Sequence, residues 1–142
     1  YLKNYPPHFP LLKPKCPPAC CTQPGYLKPY LSLTAMPTCQ PAIVLTTCPS
    51  QAEAERIGRL LLQQRLAACV QYEDIVSEYV WQGELCRSAE VRVVIKSARR
   101  HYSAVEKIIL AHNGYDCPQI VMQPIQRGLR TYLRWMEAQL GA

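Results

Sequence analysis

The residues of this 142-residue chain with the most chemistry to offer are eight cysteines and three histidines. Cys16, Cys20, Cys21 and Cys39 lie near one another, but their C-x-x-x-C-C grouping lacks the paired C-x-x-C spacings that hold a structural zinc ion. Cys48, Cys69, Cys86 and Cys117 stand singly through the rest of the chain. Cysteines spread in this way read as small core or surface residues in a reducing compartment, and a cytoplasmic location is expected. Nothing in the sequence supports a role for His8 or His101, while His112 falls at the end of a helical pattern, where an imidazole commonly satisfies a terminal carbonyl or packs its ring. There is no glycine-rich phosphate loop, nucleophile elbow or H-E-x-x-H, and no Cys, His and acid are grouped in sequence. The expectation is a binding or scaffolding protein, not an enzyme.

The elements that must position these residues follow from periodicity. Residues 76–97, VSEYVWQGELCRSAEVRVVIKS, alternate β-branched and aromatic residues with polar ones on both sides of Gln82-Gly83. Glycine takes the positive φ of a tight turn at no steric cost, so the stretch predicts one long hairpin. Ser88-Ala89 interrupts the alternation and is expected to form a bulge. Arms of about ten residues exceed the usual five or six, so the hairpin should overhang a small domain and seek a partner.

Before it, residues 42–47 (AIVLTT) read as a short strand covered on both faces. Ser50 and Glu53 form a capping box that starts a helix over 51–66, with Ala54, Ile57, Leu61 and Leu62 on its apolar stripe. Gly58 inside that helix suggests close approach to a strand. Residues 66–71 lead into the hairpin through an irregular link at Tyr72-Glu73-Asp74. After it, Ser97 is expected to cap a helix whose face holds Val105, Ile108, Ile109 and His112, and Asn113-Gly114 to end it in a left-handed turn. Residues 120–125 form another strand, which Pro124 places at an edge. Leu129, Tyr132, Leu133, Met136 and Leu140 recur at helical spacing in a terminal helix, with Trp135 expected in the core. The order β-α-β-β-α-β followed by a helix predicts an α+β, ferredoxin-like antiparallel sheet with two helices on one face. The terminal helix and neighbouring subunits are the candidates to cover the other.

Composition divides the chain. Residues 1–41 hold ten of the thirteen prolines, four lysines and no acid, and are expected to be an extended or disordered extension ahead of a domain at 42–142. They lack the unbroken apolar core of a secretory signal and the arginines of a mitochondrial presequence, and no apolar run is long enough to span a bilayer. Met36 is a candidate initiator of a shorter product. The domain carries only +2 of the net +6 charge, an ordinary surface, so neither nucleic acid nor membrane is expected as a partner.

LAACV (66–70), YVWQGEL (79–85), EVRVVIKS (90–97), H-N-G-Y (112–115) with Pro118, and YLRWM (132–136) together resemble the CutA family of divalent-cation tolerance proteins over about residues 42–140. The resemblance implies a homotrimer in which the hairpin arms pair across subunit boundaries. It also implies a link to copper or another divalent metal, and a lateral cleft similar to the ligand sites of trimeric PII signalling proteins. In copper-associated members a cysteine follows the first strand core and two adjacent histidines precede Pro-Tyr. These positions fall on Thr46, with Cys48 two residues later, and on His112, Asn113 and Gly114. The metal donors expected from the resemblance are therefore His112 with Cys48, or Cys117 in its place. The family's Pro-Glu falls on Pro118-Gln119, so one acidic group is absent. Trp81, Glu90, Lys96 and Tyr115 match recurrent residues of the inter-subunit cleft. There Lys96 would attract an anionic group, Glu90 would hold the lysine and the aromatic rings would wall a pocket. Alternatively, the four fix the trimer interface as an ion pair and two packed rings. The leading functional expectation is a metal-binding cation tolerance protein. The other is a PII-like sensor or scaffold that binds a small anionic ligand or a partner protein.

Overall fold

The computed structural model describes residues 40–141. The cysteine cluster at Cys16, Cys20, Cys21 and Cys39, the candidate start at Met36 and nearly all of the proline-rich segment lie outside the described residues. Pro41 is already part of the sheet, and the Gln40 carbonyl accepts from the Arg99 amide at 2.9 Å.

Strand β1 (Pro41–Cys48) is central, paired antiparallel to both neighbours, which is why its residues are apolar or small on both faces. Helix α1 (Gln51–Gln63) starts at Ser50, whose hydroxyl accepts from the Glu53 amide. The expected reciprocal half of the capping box is not made. The Glu53 carboxylate instead accepts from the amide of Gly114 at 3.0 Å and so ties a distant loop to this helix start. Gly58 is buried, and a Cβ there would stand 2.0 Å from the Tyr72 hydroxyl, the close strand approach that a mid-helix glycine suggests.

Strands β2 (Cys69–Trp81) and β3 (Glu84–Ala98) form the hairpin. Two of its expected irregularities are absent. Tyr72, Glu73 and Asp74 pair with Val93, Arg92 and Val91, so the proposed link is strand. Ser88 and Ala89 pair one-to-one with Ser77 and Val76, so there is no bulge. The alternation weakens there because the outer hairpin packs on no core, and without a buried face the pattern carries no information about register. Gln82 (φ 51°) and Gly83 (φ 88°) both take the left-handed conformation, the signature of a two-residue turn matched to strand twist.

Helix α2 (Tyr102–His112) follows a short 3-10 turn at Arg99–His101. Ser97 does not cap it. Its hydroxyl is buried on the sheet and donates to the Leu66 carbonyl at 2.6 Å. The helix ends with Asn113 in extended backbone (φ −93°, ψ 136°), not in a left-handed turn. Strand β4 (Ile120–Pro124) pairs only with β1, which leaves Pro124 at an edge, and helix α3 (Arg130–Gln139) closes the chain.

The sheet order is β2-β3-β1-β4, all antiparallel, the ferredoxin-like α+β arrangement. One face packs Val44, Val93 and Ile95 against Ile57 and Leu61 of α1 and Val105 and Ile109 of α2. On the other face Ala68 and Ala98 meet Met136 and Leu140, so α3 covers part of it. Trp135 is not in that core. It is 42% exposed and stacked on Tyr132 at 5.5 Å, because Met136 and Leu140 take the inward face of the helix. Strand β1 accompanies β3 only from Val91 onward, so residues 75–90 continue as a two-stranded ribbon, with Val76, Val80 and Leu85 exposed on it. No helix among the described residues is long and apolar enough to cross a membrane.

Candidate functional site

Where the ribbon leaves the sheet, the chain encloses a cavity of about 470 Å³. Strand parity selects its walls. Ser77, Tyr79 and Trp81 alternate along β2, and Glu90 faces the same way from β3, on the side of the sheet away from α1 and α2. The loop after α2 supplies Tyr115, Asp116, Cys117 and Gln119. That loop has no regular structure, so side chains hold it. The Asn113 amide donates to the Thr47 carbonyl at 2.8 Å, its oxygen accepts from the Tyr115 amide at 3.0 Å, and Glu53 holds Gly114.

The electrostatics are one-sided. Glu78, Glu90 and Asp116 line the cavity, and no lysine, arginine or histidine does among the described residues. Glu78 is paired with Arg87 across the ribbon. Burial first, and then the neighbouring Glu90 carboxylate, hold the Tyr115 phenol above its usual range, so it stays neutral. Tyr79 is fixed by a 3.2 Å hydrogen bond between its hydroxyl and that of Ser88.

Of the four residues expected in the cleft, Trp81, Glu90 and Tyr115 meet at this cavity and Lys96 does not. Lys96 lies six residues along β3 from Glu90, about 20 Å at the rise of a strand, and its ammonium donates to Gln71. Within one chain Glu90 stands beside Tyr115 and away from Lys96. Tyr79 and Asp116 are cavity residues that the sequence did not single out, and Cys117 entered it only as a substitute metal donor. The parity shared by Tyr79 and Trp81 was a usable signal for the first, but an aperiodic loop offers none for Asp116.

Of the residues expected to bind metal, Cys48 and His112 lie elsewhere. Cys48 is fully buried, and its thiol is pushed up to about 11 by burial and by the charges of Glu53 and Glu90, with Arg56 opposing. Asn113 Nδ2 donates to its sulfur at 3.6 Å. At neutral pH it is a thiol, not the thiolate a soft metal requires. Thr46, at the family's cysteine position, points into the same core with its hydroxyl unpartnered. His112 is half-buried and does not line the cavity, and its carbonyl accepts from Arg56 at 2.8 Å. Cys117 does line it and is exposed. Among the described residues no three His, Cys, Asp or Glu side chains converge as a metal would require.

The profile of the CutA1 divalent ion tolerance protein family matches residues 42–139. The divalent-cation tolerance protein CutA of Pectobacterium atrosepticum is 36% identical over 105 residues, covering 73% of this chain and 96% of that protein. The one from Thermus thermophilus is 35% identical over 100 residues, covering 70% of this chain and 97% of its own. Among solved structures, CutA from Xylella fastidiosa superposes with a TM-score of 0.69 at 33% identity, over 72% of this chain and 99% of its own. The Archaeoglobus fulgidus protein, described as a periplasmic divalent cation tolerance protein, gives 0.68 at 33% identity, over 70% and 97%. With the family profile spanning the whole sheet and its helices, the chain belongs to the CutA1 divalent-ion tolerance family.

Proposed function

We propose that the protein is a non-catalytic homotrimer that binds divalent metal ions, copper first, through the acidic cavity. The observation that carries this reading is the lining itself: Glu90, Asp116 and the Cys117 thiol, with no basic side chain among the described residues. Oxygen donors of this kind bind divalent cations without strong selection, and for a given donor set copper(II) stands at the top of the divalent series. Because no three donors converge among the described residues, binding is expected to be weak or to recruit donors from a second copy. The anionic-ligand alternative loses its main support, since Lys96, its cation, lies outside the cavity.

Self-association is supported by the ribbon. Its exposed Val76, Val80 and Leu85, with backbone edges unpaired beyond Val91, are what a second copy would cover. The four described cysteines are free, which supports a reducing location in the cytoplasm. Calorimetric titration with copper(II) tests the site. Glu90→Gln combined with Asp116→Asn is expected to weaken binding by about tenfold or more, a loss of at least ~1.4 kcal/mol, and His112→Ala to weaken it less. Equal binding by wild type and all variants sinks the cavity as the metal site.

A further inference from the structure

The cavity is far larger than an ion needs. A bound metal gathers its donors within 2.0–2.6 Å, whereas these carboxylates do not converge and the space between them is about 470 Å³, the size of an ordinary small-molecule pocket. Three aromatic residues stand in its walls. Trp81 and Tyr79 are 47% and 39% exposed, Tyr115 is half-buried, and none is closed off by the described residues. Of the carboxylates, Glu78 is neutralised by Arg87, which leaves Glu90 and Asp116 without a basic partner among the described residues. Aromatic faces attract a cation through their quadrupole and cover an apolar body at the same time, and fixed carboxylates nearby set the sign of the charge.

We propose that this cavity takes a small organic ammonium ion, its charged head between Glu90 and Asp116 and its carbon body against Trp81, Tyr79 and Tyr115. The proposal rests on the reading of the cavity as a cation site and names a second class of ligand for it. Tyr79, held by Ser88, is positioned before any ligand arrives, so little ordering of that wall opposes binding.

The test is calorimetric titration of the full chain, in its native oligomer, with choline and with putrescine. 3,3-Dimethyl-1-butanol, the uncharged isostere of choline, and copper(II) serve as parallel arms. At least one of the two ammonium ions is expected to bind about tenfold or more tightly than the neutral isostere, and Trp81→Leu and Glu90→Gln each to weaken it about tenfold. Binding of the isostere as tight as that of the cations, wild-type affinity in both variants, or no binding of either cation overturns the proposal. Should Trp81→Leu alter the native mass, Glu90→Gln decides alone, since it keeps the side chain's shape. Copper binding that Glu90→Gln removes, with no ammonium binding, overturns the ammonium proposal and leaves the metal reading standing. Ammonium binding without copper binding does the reverse.

Discussion

Cys48 shows how completely burial can change what a residue offers. In the sequence it is a thiol near the end of a strand, within plausible reach of His112. In the fold it points into the core beside α1, with its pKa raised to about 11 by burial first and then by Glu53 and Glu90. At pH 8 roughly one molecule in a thousand would then carry the thiolate, far below an ordinary cysteine. Because the raised pKa lowers the thiolate fraction at every pH below it, Cys48 should become reactive only as pH approaches 11 or when the chain is unfolded. Iodoacetamide at pH 8 followed by peptide mass measurement is expected to label exposed Cys117 and spare Cys48. Labelling of both at one rate would show that Cys48 is not held as described.

At the scale of elements, helix α1 and strand β2 meet at a single glycine. A Cβ on Gly58 would stand 2.0 Å from the Tyr72 hydroxyl, 3.0 Å from its Cζ and 3.2 Å from Val70. Gly58→Ala improves helix propensity by about 1 kcal/mol, but the overlap must push helix and strand apart or turn the tyrosine out, at a cost of about 1–3 kcal/mol. Net destabilisation is expected in denaturant unfolding. In the double variant with Tyr72→Phe much of the loss should return, because the closest atom is gone. Additive effects of the two substitutions would show that the contact is not the cause. The loop that carries Tyr115 and Asp116 depends on elements in a different way. Glu53 at the start of α1 holds the Gly114 amide, and Asn113, at the loop's own start, donates to Thr47 on β1, so its shape is set by partners some sixty positions away in sequence.

For the whole molecule the hairpin is decisive. Its inner half belongs to the sheet, and its outer half has an apolar surface and unpaired edges that the described residues do not cover. Leu85 is 80% exposed, so changing it should not disturb the subunit's own fold. Val80→Glu with Leu85→Glu is therefore expected to convert a trimer into monomers that keep their circular dichroism. Native mass spectrometry reads the outcome. A wild type that is monomeric, or a double variant that remains trimeric, would remove the ribbon as the assembly device.

The sequence by itself determined the element order, the ferredoxin-like topology, the cap at Ser50 and the turn at Gln82-Gly83. Each of these is written in local spacing: periods of two and near four, a serine before a helix, a glycine where φ must be positive. The resemblance of its motifs to a known family supplied the family and pointed to Trp81, Glu90 and Tyr115. Only the tertiary structure decided that these three share a cavity while Lys96 stands about 20 Å away along β3, that Trp135 faces outward, and that Cys48 is a buried thiol. It also decided that the cavity is acidic, because Asp116 and Cys117 arrive on a loop whose path is set by Glu53 and Asn113. Periodicity tells which face of an element is buried. It does not tell which faces of separate elements meet, since that depends on long-range packing and on hydrogen bonds between residues some sixty positions apart.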